Sequence, residues 1–177
     1  MQAILKFAAR PRPQLANRAG AGFQVWHDAI HLQTKEGLQF IDLTREISGI
    51  VAASGIANGL VNVQTRHTTT AVIVNEHEPL LLEDLKETLE RLAPQQIYYR
   101  HNDFEIRTEN MTPDESPNGH AHCRSLLLAS TATLNIIDGR LQLGRWQSIF
   151  FIELDRARQR TVAVTVMGQP ATFDRAA

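Results

Sequence analysis

One cysteine, Cys123, occurs in 177 residues, so no disulfide within the chain can staple the fold. No apolar run approaches the roughly 20 residues that span a bilayer. The N-terminal segment also lacks the apolar core and cleavage site of a secretory signal. A cytoplasmic location without a membrane partner is the expectation. Charge of one sign is missing as well: 18 Lys and Arg face 19 Asp and Glu, for a net charge of -1. That balance, with 6% aromatics and no stripe of interleaved basic and aromatic residues, argues against nucleic acid. Glycine-rich phosphate loops, a nucleophile elbow and paired-cysteine zinc motifs are absent too. What is present is an ordinary globular composition, 43% apolar and 21% charged, on a chain long enough for one domain with its own core. A small molecule is the expected partner.

Residues 1–22 carry Lys6, Arg10, Arg12 and Arg18 without an acidic residue, and are broken by Pro11, Pro13, Gly20 and Gly22. This pattern predicts a mobile arm, followed by a domain over 23–170 and a tail over 171–177. Residues 23–34 and 38–43 are strand-like runs whose connection, Lys35-Glu36-Gly37, is short enough for a hairpin. Thr44 is placed to cap a helix ending near Ser54, with Gly55 and Gly59 at its exit. In the next run Val61, Val63, Thr65 and His67 share a face by the period of two, and a further strand covers 69–76. Pro79 suits a first helical position, and Leu82, Leu85, Leu89 and Leu92 form an apolar stripe ending before Pro94. Residues 101–118 are polar and contain Pro113 and Pro117, which predicts a long loop able to close over a substrate. Asn118 is placed to cap a short helix through His120, His122, Cys123, Leu126 and Ala129; Asp138-Gly139 marks a hairpin; Trp146 to Asp155 and Arg160 to Met167 are strands. Seven or eight strands with about three helices make an α+β domain.

Chemistry gathers around histidine, of which the chain has seven. His67, the Asn75-Glu76-His77-Glu78 string, His101 and the His120-Ala121-His122-Cys123 string all sit at segment ends beside carboxylates or amides. Convergent imidazoles would suit a zinc-like site or a proton-transfer site near neutral pH. His27 and His31, on the first strand, are read as hydrogen-bonded structural residues, and Cys123 as a small buried one. Residues two apart on a helix diverge, so His120 and His122 do not both face one site. Glu153 and Gln147 form a polar pair on an apolar strand, marking either a polar cleft or a solvated edge. Arg140 and Arg145 are phosphate-binding candidates against the default of solvated surface.

Several strings together resemble the YjbQ family. They are Arg66-His-Thr-Thr-Thr-Ala71 leading to Val74-Asn-Glu76, His101-Asn-Asp103, Asn118-Gly-His-Ala-His122 before Leu126-Leu-Leu128, and Asp138-Gly-Arg-Leu-Gln-Leu-Gly-Arg-Trp-Gln147 followed by Phe150-Phe-Ile-Glu-Leu-Asp155. The resemblance runs from about Phe23 to Gly168. It implies a single compact α+β domain with a mixed, largely antiparallel sheet, a homotrimer, and a histidine-containing pocket near subunit boundaries. It also implies a low-level thiamine-phosphate synthase activity, joining a pyrimidine pyrophosphate to a thiazole phosphate with loss of pyrophosphate. Matched by motif, His67, His122 and Glu76, with Glu153 added, are the candidate catalytic groups. Asn75, Arg145, Trp146 and Gln147 are the candidate substrate-binding groups, and His67, His101 and His122 the candidate ligands of a divalent metal, zinc or magnesium. The apolar density of the last two strands is a further reason to expect subunit contacts. The alternative is a metal- or metabolite-binding protein without true catalysis.

Overall fold

The computed structural model describes residues 22–171. The expected arm and tail, apart from Gly22 and Ala171, lie outside them. In chain order the elements are β1 (Gln24–Gln33), β2 (Gln39–Asp42), α1 (Thr44–Ser54), β3 (Ile56–Thr65), β4 (Thr70–Glu76), α2 (Pro79–Leu92), a 3-10 turn (Arg100–Asn102), α3 (Gly119–Leu126), β5 (Thr131–Ile137), β6 (Arg140–Leu141), β7 (Gln147–Glu153) and β8 (Gln159–Pro170). The α+β class with three helices is as the sequence predicts. Its strands divide between two sheets, ordered β1-β8-β3-β5-β6 and β2-β7-β4, and every pairing among the described residues is antiparallel.

The near-continuous apolar run of β7 reflects burial on both faces. Ile149 and Phe151 face a core shared with β1, β3, β8 and α1, while Phe150, Ile152 and Leu154 face a second core with Ala71, Leu89 and Ala121. The apolar density of β7 is thus covered within the chain, whereas β8 buries Val162, Val164 and Val166 on one face and leaves the other half-buried.

Local signals survive well. Pro79 takes the first position of α2, with Glu78 accepting from the Leu80 and Leu81 amides at 3.0 and 2.7 Å. Asp138 and Gly139 adopt φ of 50° and 71°, as a tight primed turn requires.

Other expectations are corrected. β1 and β2 form no hairpin: β1 pairs with β8 and β2 with β7, because Thr34 is held against Arg158 by backbone and hydroxyl bonds of 2.8–3.0 Å that turn the chain towards the other sheet. Thr44 does not cap α1 with its side chain; its hydroxyl accepts the Ile149 amide at 2.9 Å and Asp42 accepts the Thr44 amide at 2.8 Å. Gly55 does end α1 with φ 70°, but Gly59 lies inside β3, where a Cβ would stand 2.1 Å from the Met167 carbonyl of β8. β3 stops at Thr65, so His67 falls on the following turn. Of the apolar stripe of α2, Leu89 is buried whereas Leu92 is 63% exposed.

Candidate functional site

The β4–β7 ladder sorts the candidate residues into separate neighbourhoods. At one end Glu76 stands opposite Gln147; at the other Thr70 stands opposite Glu153. Six residues of strand separate these ends by roughly 20 Å. Asn75, Glu76, Arg145, Trp146 and Gln147 belong to the first end. There the Arg145 guanidinium lies 4.5 Å from the Trp146 ring centre, Gln147 accepts the Gly144 amide at 2.8 Å, and Asn75 accepts the Glu76 amide at 2.8 Å.

At the second end Glu153 is fully buried and fully bonded. Arg160 donates Nε to Oε2 and Nη2 to Oε1, both at 2.7 Å; the Thr34 hydroxyl and the Asp155 amide add bonds of 3.1 Å each. A third Arg160 bond, again from Nη2, reaches the Thr69 hydroxyl at 3.1 Å. The sequence left Glu153 at a cleft or a solvated edge; it occupies neither, being half of a buried ion pair. His67 sits beside this pair, its Nε2 accepting the Thr161 amide at 3.1 Å. Burial, with Arg160 close by, holds its pKa below the ordinary histidine value.

A third neighbourhood forms where α3 begins. Its N-terminal amides are capped from outside the helix: Asn102 on the 3-10 turn accepts from Asn118 N at 3.0 Å and Gly119 N at 2.8 Å. The approach is so close that a Cβ on Gly119 would lie 2.7 Å from the Tyr99 Cβ, which requires glycine there. Asn118, expected as the cap, leaves its own Oδ1 without a partner. Arg124, buried in α3, ties the helix to α2 through the Ala93 carbonyl at 3.0 Å and the Glu90 carboxylate.

This docking brings the His101 and His122 rings together edge to face at 4.6 Å between centres. As the helical spacing predicts, His120 points elsewhere, into the interior at 2% exposure. Burial, reinforced by Arg124 for His120 and by His101 for His122, lowers both pKa values, so both imidazoles are neutral at pH 7. Cys123, expected to be buried, is exposed. Asp155 lies near enough to act electrostatically on both histidines. Its Oδ2 forms ion pairs with Arg158 at 3.1 Å and Arg156 at 3.6 Å without a hydrogen bond.

Five buried side-chain polar atoms among the described residues lack a hydrogen bond, and four are His101 Nε2, Asn118 Oδ1, His120 Nε2 and Asp155 Oδ2. Native interiors leave few such atoms unpaired, so this concentration needs an explanation. Beside it opens a cleft of about 480 Å³ lined by Asn118, Arg156, Arg158 and Gln159 together with Asp114 and Glu115. The segment expected to be a mobile loop is wound around one side chain: Arg107 donates to the His101, Glu109 and Asn110 carbonyls and, at 2.7 Å, to Glu115. Asp155, Arg156, Arg158 and Asn118 were missed as site residues; the Asp155-Arg-Ala-Arg-Gln-Arg160 run was the signal that could have found the first three.

Within one chain His67, His101 and His122 do not fit a three-histidine metal site. His67 Nε2 is occupied by a backbone amide, and no three His, Cys, Asp or Glu side chains among the described residues are gathered to hold an ion. His27 and His31 bond across β1 and β8 to Thr165 and Thr161 at 3.1 and 3.3 Å, in the structural role expected of them.

Residues 28–169 match the family model described as UPF0047 protein YjbQ-like. A UPF0047 protein of Methanothermobacter thermautotrophicus is 37% identical over 153 residues, 86% of this chain and 99% of that protein. A YbjQ-like protein of unknown function from Sulfolobus solfataricus superposes with a TM-score of 0.74 at 31% identity, over 82% of this chain and 99% of the other. A hypothetical protein of Aeropyrum pernix gives 0.70 at 33% identity, over 79% and 96%.

Proposed function

Because the chain belongs to the YjbQ-like UPF0047 family, we propose that it binds a small phosphorylated substrate in the cleft beside the α3 N-terminus and there performs alkyl transfer of the thiamine-phosphate synthase type. The observation that carries the reading is a cavity beside the α3 N-terminus whose lining holds Arg156, Arg158 and Asn118. Guanidinium groups are suited to phosphate recognition by charge and by their planar set of donors.

In this reaction the carbon–oxygen bond between the pyrimidine methylene and pyrophosphate breaks, and the oxygen keeps the electron pair. The thiazole nitrogen supplies its lone pair to the methylene carbon, and the product carries the positive charge as a thiazolium. No net proton transfer is needed, so the protein's work is to neutralise the departing oxyanion and keep water from the carbon. Arg156 and Arg158 supply the charge, and the Asn118 Nδ2 amide and the N–H of the neutral His122 donate hydrogen bonds to orient the leaving group. Glu153 acts at a distance in this scheme, holding Arg160 and the 153–160 connection in place.

A second reading, a metabolite-binding protein without catalysis, draws on Asp114 and Glu115 in the same lining, since paired opposite charges suit a zwitterion better than a pyrophosphate. Incubation of the protein with both thiamine precursors separates the two. Thiamine phosphate formation that falls at least tenfold in Arg158→Ala and His122→Ala supports transfer; binding by calorimetry without product supports the second reading; neither result removes both. The homotrimer is part of the proposal too, as cover for the exposed Leu126 and Leu127, and light scattering showing a stable monomer would remove it.

A further inference from the structure

A second cavity, of about 310 Å³, lies at the β3–β4 turn and shares no lining residue with the cleft. Its wall is Arg66, His67, Thr68, Ser125 and Ser130, with Thr65 and Thr70 completing it. Every one of these side chains is a cation, an imidazole or a hydroxyl. No carboxylate and no aliphatic side chain is among them.

The hydrogen bonds decide what this wall offers a ligand. His67 Nε2 accepts the Thr161 amide at 3.1 Å, so the neutral ring must carry its proton on Nδ1, which makes no hydrogen bond among the described residues. A backbone amide, which cannot turn its hydrogen away, has thereby set the imidazole as a donor. Thr65 and Thr70 share a bond of 2.6 Å, and further bonds of 3.3 Å from Thr70 to the His67 carbonyl and from the His67 amide to Thr65 fix the turn. Arg66 has no ion-pair partner among the described residues, so none of them neutralises its charge. Ser125 reaches the Thr68 carbonyl at 2.8 Å and the His122 carbonyl at 2.9 Å, which joins this wall to the helix bearing His122.

We propose that this second cavity binds a phosphomonoester, with Arg66 supplying charge and His67 Nδ1–H and the Thr68 and Ser130 hydroxyls supplying donors. A wall of donors with an unpaired guanidinium and no carboxylate matches a tetrahedral oxyanion and repels a metal ion. His67 is then an anion-binding donor. For the identity of the ligand the inference rests on the alkyl-transfer reading: a reaction that joins two phosphorylated halves needs two anion sites, and the smaller cavity suits the monophosphate. The anion chemistry itself stands on this cavity alone.

The test uses the whole protein, in phosphate-free buffer, with inorganic phosphate and pyrophosphate as separate probes. Phosphate is expected to shift the His67 Nδ1 resonance in imidazole nitrogen spectra, and Arg66→Ala to weaken phosphate binding roughly tenfold, the loss of one charge-assisted contact. Arg66→Ala should leave pyrophosphate binding intact, whereas Arg158→Ala should do the reverse. An unmoved His67 resonance, or phosphate affinity indifferent to Arg66→Ala, overturns the site. Arg66-dependent phosphate binding in a protein that forms no thiamine phosphate supports the site and removes the alkyl-transfer reading instead.

Discussion

Two buried polar clusters lie a short stretch of chain apart and behave oppositely. Glu153 and Arg160 form a closed cluster: four donors meet the carboxylate, from Arg160 twice, Thr34 and Asp155. The cluster at the head of α3 is open: His101, Asn118, His120 and Asp155 each hold a buried polar atom with no hydrogen bond. Both contain acidic and basic groups, both are largely buried, and both use residues singled out by their chemistry. The difference teaches that burial of a charge is no sign of function by itself. A carboxylate whose hydrogen-bonding capacity is filled within the chain has nothing left to offer a substrate, whereas polar atoms without a hydrogen bond retain capacity for another partner.

The largest effect that can break this comparison comes from opening the closed cluster. Glu153→Ala strands the Arg160 guanidinium in the interior and should cost about 3–5 kcal/mol, the usual penalty for halving a buried pair. In a domain of this size that lowers the melting temperature by roughly 10 °C or more. Replacing Glu153 and Arg160 together by methionine should cost less than Glu153→Ala alone. A Glu153→Ala protein that kept its melting temperature and lost activity would make the cluster functional and erase the contrast.

Next in size is the clasp of the 103–117 segment. Arg107→Ala removes the hub that joins His101, Glu109, Asn110 and Glu115, and should cost about 1–3 kcal/mol through the partners it leaves unmatched. Because the hub also steadies the His101–His122 pair, ligand affinity in the cleft should fall with it. Amide hydrogen exchange confined to 103–117 would confirm a local release, and exchange spread through β7 would show that the segment is part of the core.

How much of this was legible in the sequence follows from how far each interaction reaches. Pro79 after Glu78, and Asp138 before Gly139, act within a few residues, and both were readable. The partner of β1 is β8, across almost the whole chain, and no local feature of Lys35-Glu36-Gly37 could announce that Thr34 would be bound to Arg158. The alternation that placed Val61, Val63 and Thr65 on one buried face was readable; the stop at Thr65 that sends His67 to a backbone amide was not. Among the site candidates, His101 and His122 were found by residue type and do meet. Asn118 looked like a helix cap, and only the arrival of Asn102 from the 3-10 turn frees its side chain for something else. Unmet valence is a property of the tertiary fold, and a sequence shows only which atoms are capable of it.

The smallest stability effect is the sharpest test. His120 is buried with Nε2 unpaired, and Asn118 with Oδ1 unpaired, so the folded chain already bears the cost of both. Asn118→Leu and His120→Leu remove a polar atom that has no partner, and such exchanges are close to neutral or stabilising when the shape is kept. Melting temperatures within a few degrees of the parent, or higher, are expected for both, together with loss of ligand binding in the cleft for Asn118→Leu, whose residue lines it. His120 also carries a signature in pH. Its folded pKa is lowered by burial, with Arg124 adding to the effect, so the unfolded chain takes up this proton first. The native state therefore keeps its full share of stability above the ordinary histidine value of about 6.5 and loses it as the pH falls below. His120→Leu removes that loss, so its stability should decline less steeply than the parent's from pH 6.5 downwards, with the two curves parallel above. A variant that unfolded at every pH would mean that His120 is bonded in solution, and the open cluster would be as closed as the one around Glu153.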